Sequence, residues 1–199
     1  SNIAPALTAA IAASRDGAQS AELAGRLLAL AVDLKHPTAV AAAIQEVSKS
    51  REGQYDAWQY ATTADLLNAL ARHGEALEAL VEPAVTSQVT ALISSARELA
   101  VDSDADPSLR ASAVRLLAQQ QNQHSEDLLT LGQLLVPQTP ATIQDAIVSH
   151  LARLQQRQVA EVLLANWKSH APARRSQILN VLATRKDWIE ILLDQMESG

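Results

Sequence analysis

Three aspartates at alternate positions, Asp102, Asp104 and Asp106, have the D-x-D-x-D opening of a calcium-binding EF-hand loop. That loop also needs a glycine at its sixth position, for the sharp turn, and a bidentate glutamate at its twelfth. The chain has Pro107 and Ala113 there. The expectation is an exposed loop between helices that ends in an N-cap. His36, His73, His124, His150 and His170 stand singly, none of them three or four residues from another, so an H-E-x-x-H zinc helix is missing. His36, His73 and His170 fall near expected helix C-termini, where a protonated imidazole favours the helix dipole. His150 falls mid-helix beside Leu151, a place for partial burial. The carboxylates Glu126 and Asp127 open a helix and favour its positive end. The chain has no G-x-S-x-G, no phosphate-cradling glycine loop and no Ser/His/Asp set in a recognisable context. No catalytic, cofactor-binding or metal-ligating residue is therefore assigned.

Two residue classes remain that grip partners. Trp58, Trp167 and Trp188 fall on apolar helical faces, where core packing is the expected use, with each indole N–H reaching a loop or solvent. Tryptophan is also a frequent binding hot spot. Arg153, Arg157, Lys168, Arg174, Arg175, Arg185 and Lys186 cluster late in the chain, as a solvated face or as a ridge for an acidic partner. The candidate partner-binding set is Trp167, Trp188, Arg174, Arg175 and Arg185.

Composition says what must carry these groups. The 199 residues are 48% hydrophobic, with no Phe, two Tyr and three Trp, so the apolar share is almost wholly aliphatic. Such a core favours close helix packing, because strands select β-branched and aromatic residues. The net charge of −6 opposes a dominant nucleic-acid role. With no cysteine there is no disulfide, thiolate metal site or attached c-type haem in this chain. No run approaches the roughly 20 apolar residues of a membrane span. The opening Ser1-Asn2, without Met, reads as the scar of a removed tag, and so as the start of a piece cut from a longer protein.

Pro107, Pro140 and Pro172 lie 33 and 32 residues apart, and each precedes the same apolar spacing. Asp106-Pro107 and Thr139-Pro140 each place a cap before a proline at the first helical position, while Ala171 ahead of Pro172 is a poor cap. The partner helices carry Leu128, Leu129, Leu131, Leu134 and Leu135, then Val159, Val162, Leu163 and Trp167, and Trp188, Ile189, Leu192 and Leu193 close the series. In the first half, Leu23, Leu27, Leu30, Ala31 and Leu34 mark one helix, ended by His36-Pro37, and Val40, Ile44 and Val47 a second. Trp58, Ala61, Leu66, Leu67, Leu70 and Ala71 mark a third, stopped at His73-Gly74. Leu77, Leu80 and Val81 come next, then Val85, Val89, Leu92, Ile93, Ala96, Leu99 and Ala100, with a break at Pro83. The expected fold is all-α: about ten to twelve helices of about 17 to 24 Å. They form an α-α superhelix, a HEAT/ARM-like solenoid of about five or six hairpins. One domain over 1–199 is expected, irregular over 3–101 and more regular over 102–198, with a compact helical bundle as the alternative.

From Asp102 onward the text has a specific order. It includes Pro107-x-Leu109-Arg110, Ala113-Val114-Arg115-Leu116-Leu117, Glu126-Asp127-Leu128, and Leu131-Gly132-x-Leu134-Leu135-x-Pro137. Pro140, Gln144, Leu151-Ala152-x-Leu154 and Val159-Ala160-x-x-Leu163-Leu164-x-x-Trp167 follow, then Pro172-x-x-Arg175, Leu182, Arg185, Trp188 and Leu192-Leu193-Asp194. This order resembles the helical-repeat segment of the large bacterial membrane-bound-dehydrogenase-like proteins of the PVC type, which end in a c-type haem domain. Trp58 with Leu66-Leu67-x-Ala69-Leu70-Ala71-Arg72 is similar to the same family more weakly. Where such repeats carry a small apolar residue this chain has His150, and 119–123 lacks the glycine usual there. In that family a sugar-dehydrogenase-like β-propeller precedes the repeats and a C-x-x-C-H domain follows, so its catalytic and haem residues have no positions here.

The resemblance implies a non-enzymatic spacer or protein-interaction scaffold within a dehydrogenase/cytochrome-type protein, placed in the periplasm or outside the cell. Its partners would be the flanking domains of the parent protein or another protein, with no cofactor in this chain, no nucleic acid and no membrane insertion by this segment. The alternatives are a free-standing peptide- or protein-binding adaptor, and an enzyme on a HEAT-repeat scaffold of the DNA glycosylase or chromophore lyase type.

Overall fold

The computed structural model describes residues 3–13, 18–119 and 124–198. The expected tag scar Ser1-Asn2 and most of the glycine-lacking stretch, 120–123, lie outside them. Among the described residues the chain is helical, with one isolated β-bridge, Arg51 to Gln54. Its contacts divide it into two compact units, Ser1–Ala105 and Asp106–Gly199.

The first unit holds α1 (Ile3–Ala13), α2 (Ala18–Asp33), α3 (Pro37–Val47), α4 (Ala57–His73) and α5 (Pro83–Val101). The helix expected around Leu77 to Val81 is only a 3-10 turn, Leu77–Ala79, because Pro83 leaves too little chain for a full helix. Helix α2 packs along α4, and α1, α3 and α5 contact one another in sequence. The α2–α4 approach runs through small residues: a Cβ on Gly25 would meet Asp65 Oδ2 at 2.6 Å. Of the expected face of α2, only Ala31 is buried. Ala24, Leu28, Ala31 and Val32 are buried, while Leu23, Leu30 and Leu34 remain exposed. Ala71 of α4 is likewise exposed.

Helix ends follow the sequence closely. Pro37 and Pro83 open α3 and α5, and Gly74 closes α4 in the left-handed region at φ 64°. Between α3 and α4, Glu52 and Gly53 both have positive φ, and Arg51 and Gln54 exchange backbone bonds of 3.0 and 2.9 Å across that two-residue turn. Buried Gln59 secures the segment by donating to the carbonyls of Val47 and Lys49 and accepting from the Asp56 N–H.

The second unit holds α6 (Pro107–Val114), α7 (His124–Leu134), α8 (Ala141–Leu151), α9 (Gln158–Leu164), α10 (Pro172–Leu182) and α11 (Lys186–Ser198). Helix α6 packs on α8 and α8 on α10, while α7 packs on α9 and α9 on α11. Asp106 caps α6 by accepting from the Ser108 and Leu109 N–H groups, as expected, and Ala171 caps α10 with no side-chain bond. Pro140 departs by one residue: it occupies the cap position, and the Thr139 carbonyl accepts from Gln144 Nε2 at 2.7 Å. Leu129, Ile189 and Leu193, counted on apolar faces from sequence, are exposed.

Candidate functional site

The expected grip of Trp167, Trp188, Arg174, Arg175 and Arg185 lies on the 3-10 turn after α9, on α10, on the α10–α11 turn and on α11. Trp188, on the first turn of α11, is 1% exposed, and its indole N–H donates to the Gln156 carbonyl in the loop before α9 at 3.2 Å. A loop acceptor for the indole was expected; a side chain this buried offers no surface to a partner. Arg185 stacks on the same ring, 4.9 Å from its centroid, and its Nε is buried. Trp167 is half-buried and lies in a 3-10 turn, Trp167–Ser169, outside the α9 helix it was expected to end.

The arginines are engaged within the unit. Arg174 donates through Nε to Gln144 Oε1 at 3.2 Å and through Nη1 to Asp145 Oδ1 at 2.5 Å and to Gln177. The bonds to Gln144 and Asp145 tie α10 to α8. Arg175 donates to the carbonyls of Trp167 (3.1 Å) and Lys168 (2.8 Å), closing the 3-10 turn, and its guanidinium sits 5.7 Å from the Trp167 centroid. A bidentate guanidinium satisfied by fixed carbonyls is a brace, since an acidic ligand would have to displace both bonds.

His170, expected near a helix C-terminus, is the C-cap residue of the 3-10 turn Trp167–Ser169, just before the Ala171 cap of α10, and is 3% exposed. Burial lowers its pKa from the ordinary histidine value, and the Arg174 and Arg175 charges lower it further. It is held neutral.

A second constellation, which sequence spacing did not bring together, surrounds the end of α6. Ala118 has φ 60°, the left-handed region that a Cβ disfavours. Its N–H donates to the buried Asp127 carboxylate at 2.7 Å, and its carbonyl accepts from His124 Nδ1 at 2.8 Å. The preceding carbonyl, of Leu117, accepts from His150 Nε2 at 2.6 Å. Asp127, read from sequence as favouring the start of its own helix, thus also holds the end of the preceding one. His150 is buried, and desolvation drives its pKa down to about 4; Arg153 and Arg115 push the same way, against the Leu117 hydrogen bond and Asp127. The signal available in the sequence was the polar His150 inside an apolar run: a buried imidazole must find a backbone partner.

Elsewhere the chemistry is sparse. Asp102 accepts from the Asp104 N–H at 3.0 Å, so the acidic loop forms a turn before the Asp106 cap. His73 donates to Asp33 at 2.8 Å across α4 and α2. Buried Tyr60 pairs with Ser95 at 3.0 Å, and burial raises its pKa. An open groove of about 420 Å³ is lined by Ser48, Lys49, Tyr55, Ser87, Gln88 and Ala91, and its Ser48 hydroxyl donates to Gln88. Among the described residues no group of three or more His, Asp or Glu is placed to hold a metal ion, and no helix is long and apolar enough to cross a membrane. No family model, curated protein or solved structure matches the chain.

Proposed function

We propose that this chain is a non-enzymatic HEAT-like α-solenoid. On the reading drawn from its resemblance, it acts as a spacer and docking scaffold between the catalytic and c-type haem domains of a larger dehydrogenase-type protein, in the periplasm or outside the cell. One observation carries the architecture. In the second unit, side-chain bonds join residues 29 to 34 positions apart: His150 to Leu117, Arg174 to Gln144 and Asp145, Asn166 to Gly132 and Leu135, and Trp188 to Gln156. That is the proline period again, so each helix is tied to its counterpart one period away. Alternating contacts of α6–α8–α10 and α7–α9–α11 support the same layering. The mechanism is geometric: a stack of braced hairpins fixes the distance and orientation of what it joins.

The adaptor reading is weaker, because Trp188 is buried and Arg174 and Arg175 already have intramolecular partners. The test is made in the parent polypeptide, which should carry propeller and C-x-x-C-H segments on either side. Replacing this stretch by a Gly/Ser linker should slow reduction of the haem by substrate while leaving substrate oxidation by a soluble dye unchanged. Unchanged haem reduction, or a parent without those segments, sinks the spacer reading.

A further inference from the structure

Helix α2 carries an apolar face that its own unit leaves bare. Leu23, Leu27, Leu30 and Leu34 recur at four, three and four residues, the a/d spacing of a coiled-coil seam. Leu23, Leu30 and Leu34 are 52%, 44% and 54% exposed, and Leu27 is half-buried. With Leu23 at position d, the flanking positions divide by chemistry. The e positions are Ala24 and Ala31, both buried in the unit; the g positions are Arg26 and Asp33, both at the surface. Arg26 pairs with Glu22 one turn earlier, and Asp33 accepts from His73 and lies 3.9 Å from Arg72 Nη2. One edge of the seam is thus closed by the unit's own core, and the other carries one cation and one anion a heptad apart.

We propose that this seam pairs with the same seam of a second copy of the chain, antiparallel, about a two-fold axis. In an antiparallel pair g faces g. Setting Leu27 against Leu30 of the second copy, and Leu23 against its Leu34, brings Arg26 beside Asp33 of that copy, and symmetry repeats the contact. A parallel pair sets g against e, so Arg26 would meet an alanine and Asp33 would gain no cation. Charge complementarity therefore selects self-pairing in one orientation, and a two-fold axis requires only that one patch be complementary to itself. The seam extends about 17 Å along the helix. So short a contact falls below the roughly 1,200 Å² of a stable interface, which makes the dimer weak and concentration-dependent. Its ion pairs add little energy but fix orientation, and the Arg26–Glu22 pair is exposed and opens readily.

Sedimentation equilibrium of the chain, three variants and their mixtures tests the proposal, with helicity checked by circular dichroism. The native chain should dimerise, and Leu30→Glu should be monomeric. Arg26→Glu and Asp33→Lys should each weaken the dimer by about ten-fold or more, since each sets like charges together twice. An equimolar mixture of those two variants should recover association. In the mixed pair the introduced carboxylate of one chain meets the introduced ammonium of the other, and the remaining native Asp33 and Arg26 meet across the second contact. A native chain that stays monomeric at about 1 mM overturns the proposal. So does a Leu30→Glu variant that still associates, or a mixture of folded variants no better than either alone. Should Asp33→Lys lose helicity with its His73 contact, the order of affinities decides: native strongest, native mixed with Arg26→Glu intermediate, Arg26→Glu weakest. Equal affinities overturn it.

Discussion

Protonating His150 would place a charge among buried apolar neighbours, next to Arg115 and Arg153 and against a carbonyl it already serves. An unfolded histidine titrates near 6.5, and this one is held down to about 4 in the folded chain. Between those values the unfolded chain binds the extra proton, so stability is fully present above about pH 6.5 and is lost as pH falls toward 4. The loss is on the order of 3 kcal/mol. His170 is lowered too and acts in the same direction. Urea unfolding at pH 7 and pH 4.5 should show this loss, and His150→Gln, whose amide still donates to Leu117, should show much less of it. Equal acid losses in the two chains would remove His150 as the cause. Sequence placed His150 in a helix correctly but did not supply Leu117 as its partner, because that carbonyl belongs to the turn after a different helix, 33 residues earlier.

Helix ends are the most local feature of the fold, and their chemistry is read one turn at a time. Three helix ends in the described residues reach the left-handed region: Lys35 after α2 at φ 53°, Gly74 after α4, and Ala118 beyond α6. Gly74 is the residue that position favours. At Lys35 the chain bonds back from His36 to the Ala31 carbonyl and from Lys35 to Val32, and the side chain is exposed. Lys35→Gly removes the Cβ penalty and should raise stability by about 0.5–1 kcal/mol, read as a higher melting temperature. The same change at Ala118 is a different matter, since its methyl is buried. The faces of elements were less legible than their ends. Sequence chose Leu23, Leu27, Leu30, Ala31 and Leu34 of α2 for the core, yet of these only Ala31 is buried, with Ala24, Leu28 and Val32, because the close approach to α4 at Gly25 turns that side inward.

At the scale of the molecule, the repeat of about 32 residues makes a prediction about deletion. Removing 140–171 joins Thr139 to Pro172 and excises one whole period of the second unit. Helices α7 and α11, each of which packs on α9, would then meet each other as counterparts. The shortened chain should keep its per-residue ellipticity and unfold cooperatively in urea, whereas removing only 156–171, which takes out α9 and leaves α8, should abolish the cooperative transition. Similar behaviour of the two deletions would refute the repeat. What the sequence by itself determined was that this chain makes helices and where most of them begin and end, because apolar period, proline at the first turn, the Asp106 cap and Gly74 all act within a few residues along the chain. Tertiary structure alone decided which apolar face α2 buries, and that Trp188, Arg174 and His150 serve as internal braces. Those outcomes depend on groups about thirty to forty residues away, whose distance in space no local spacing encodes.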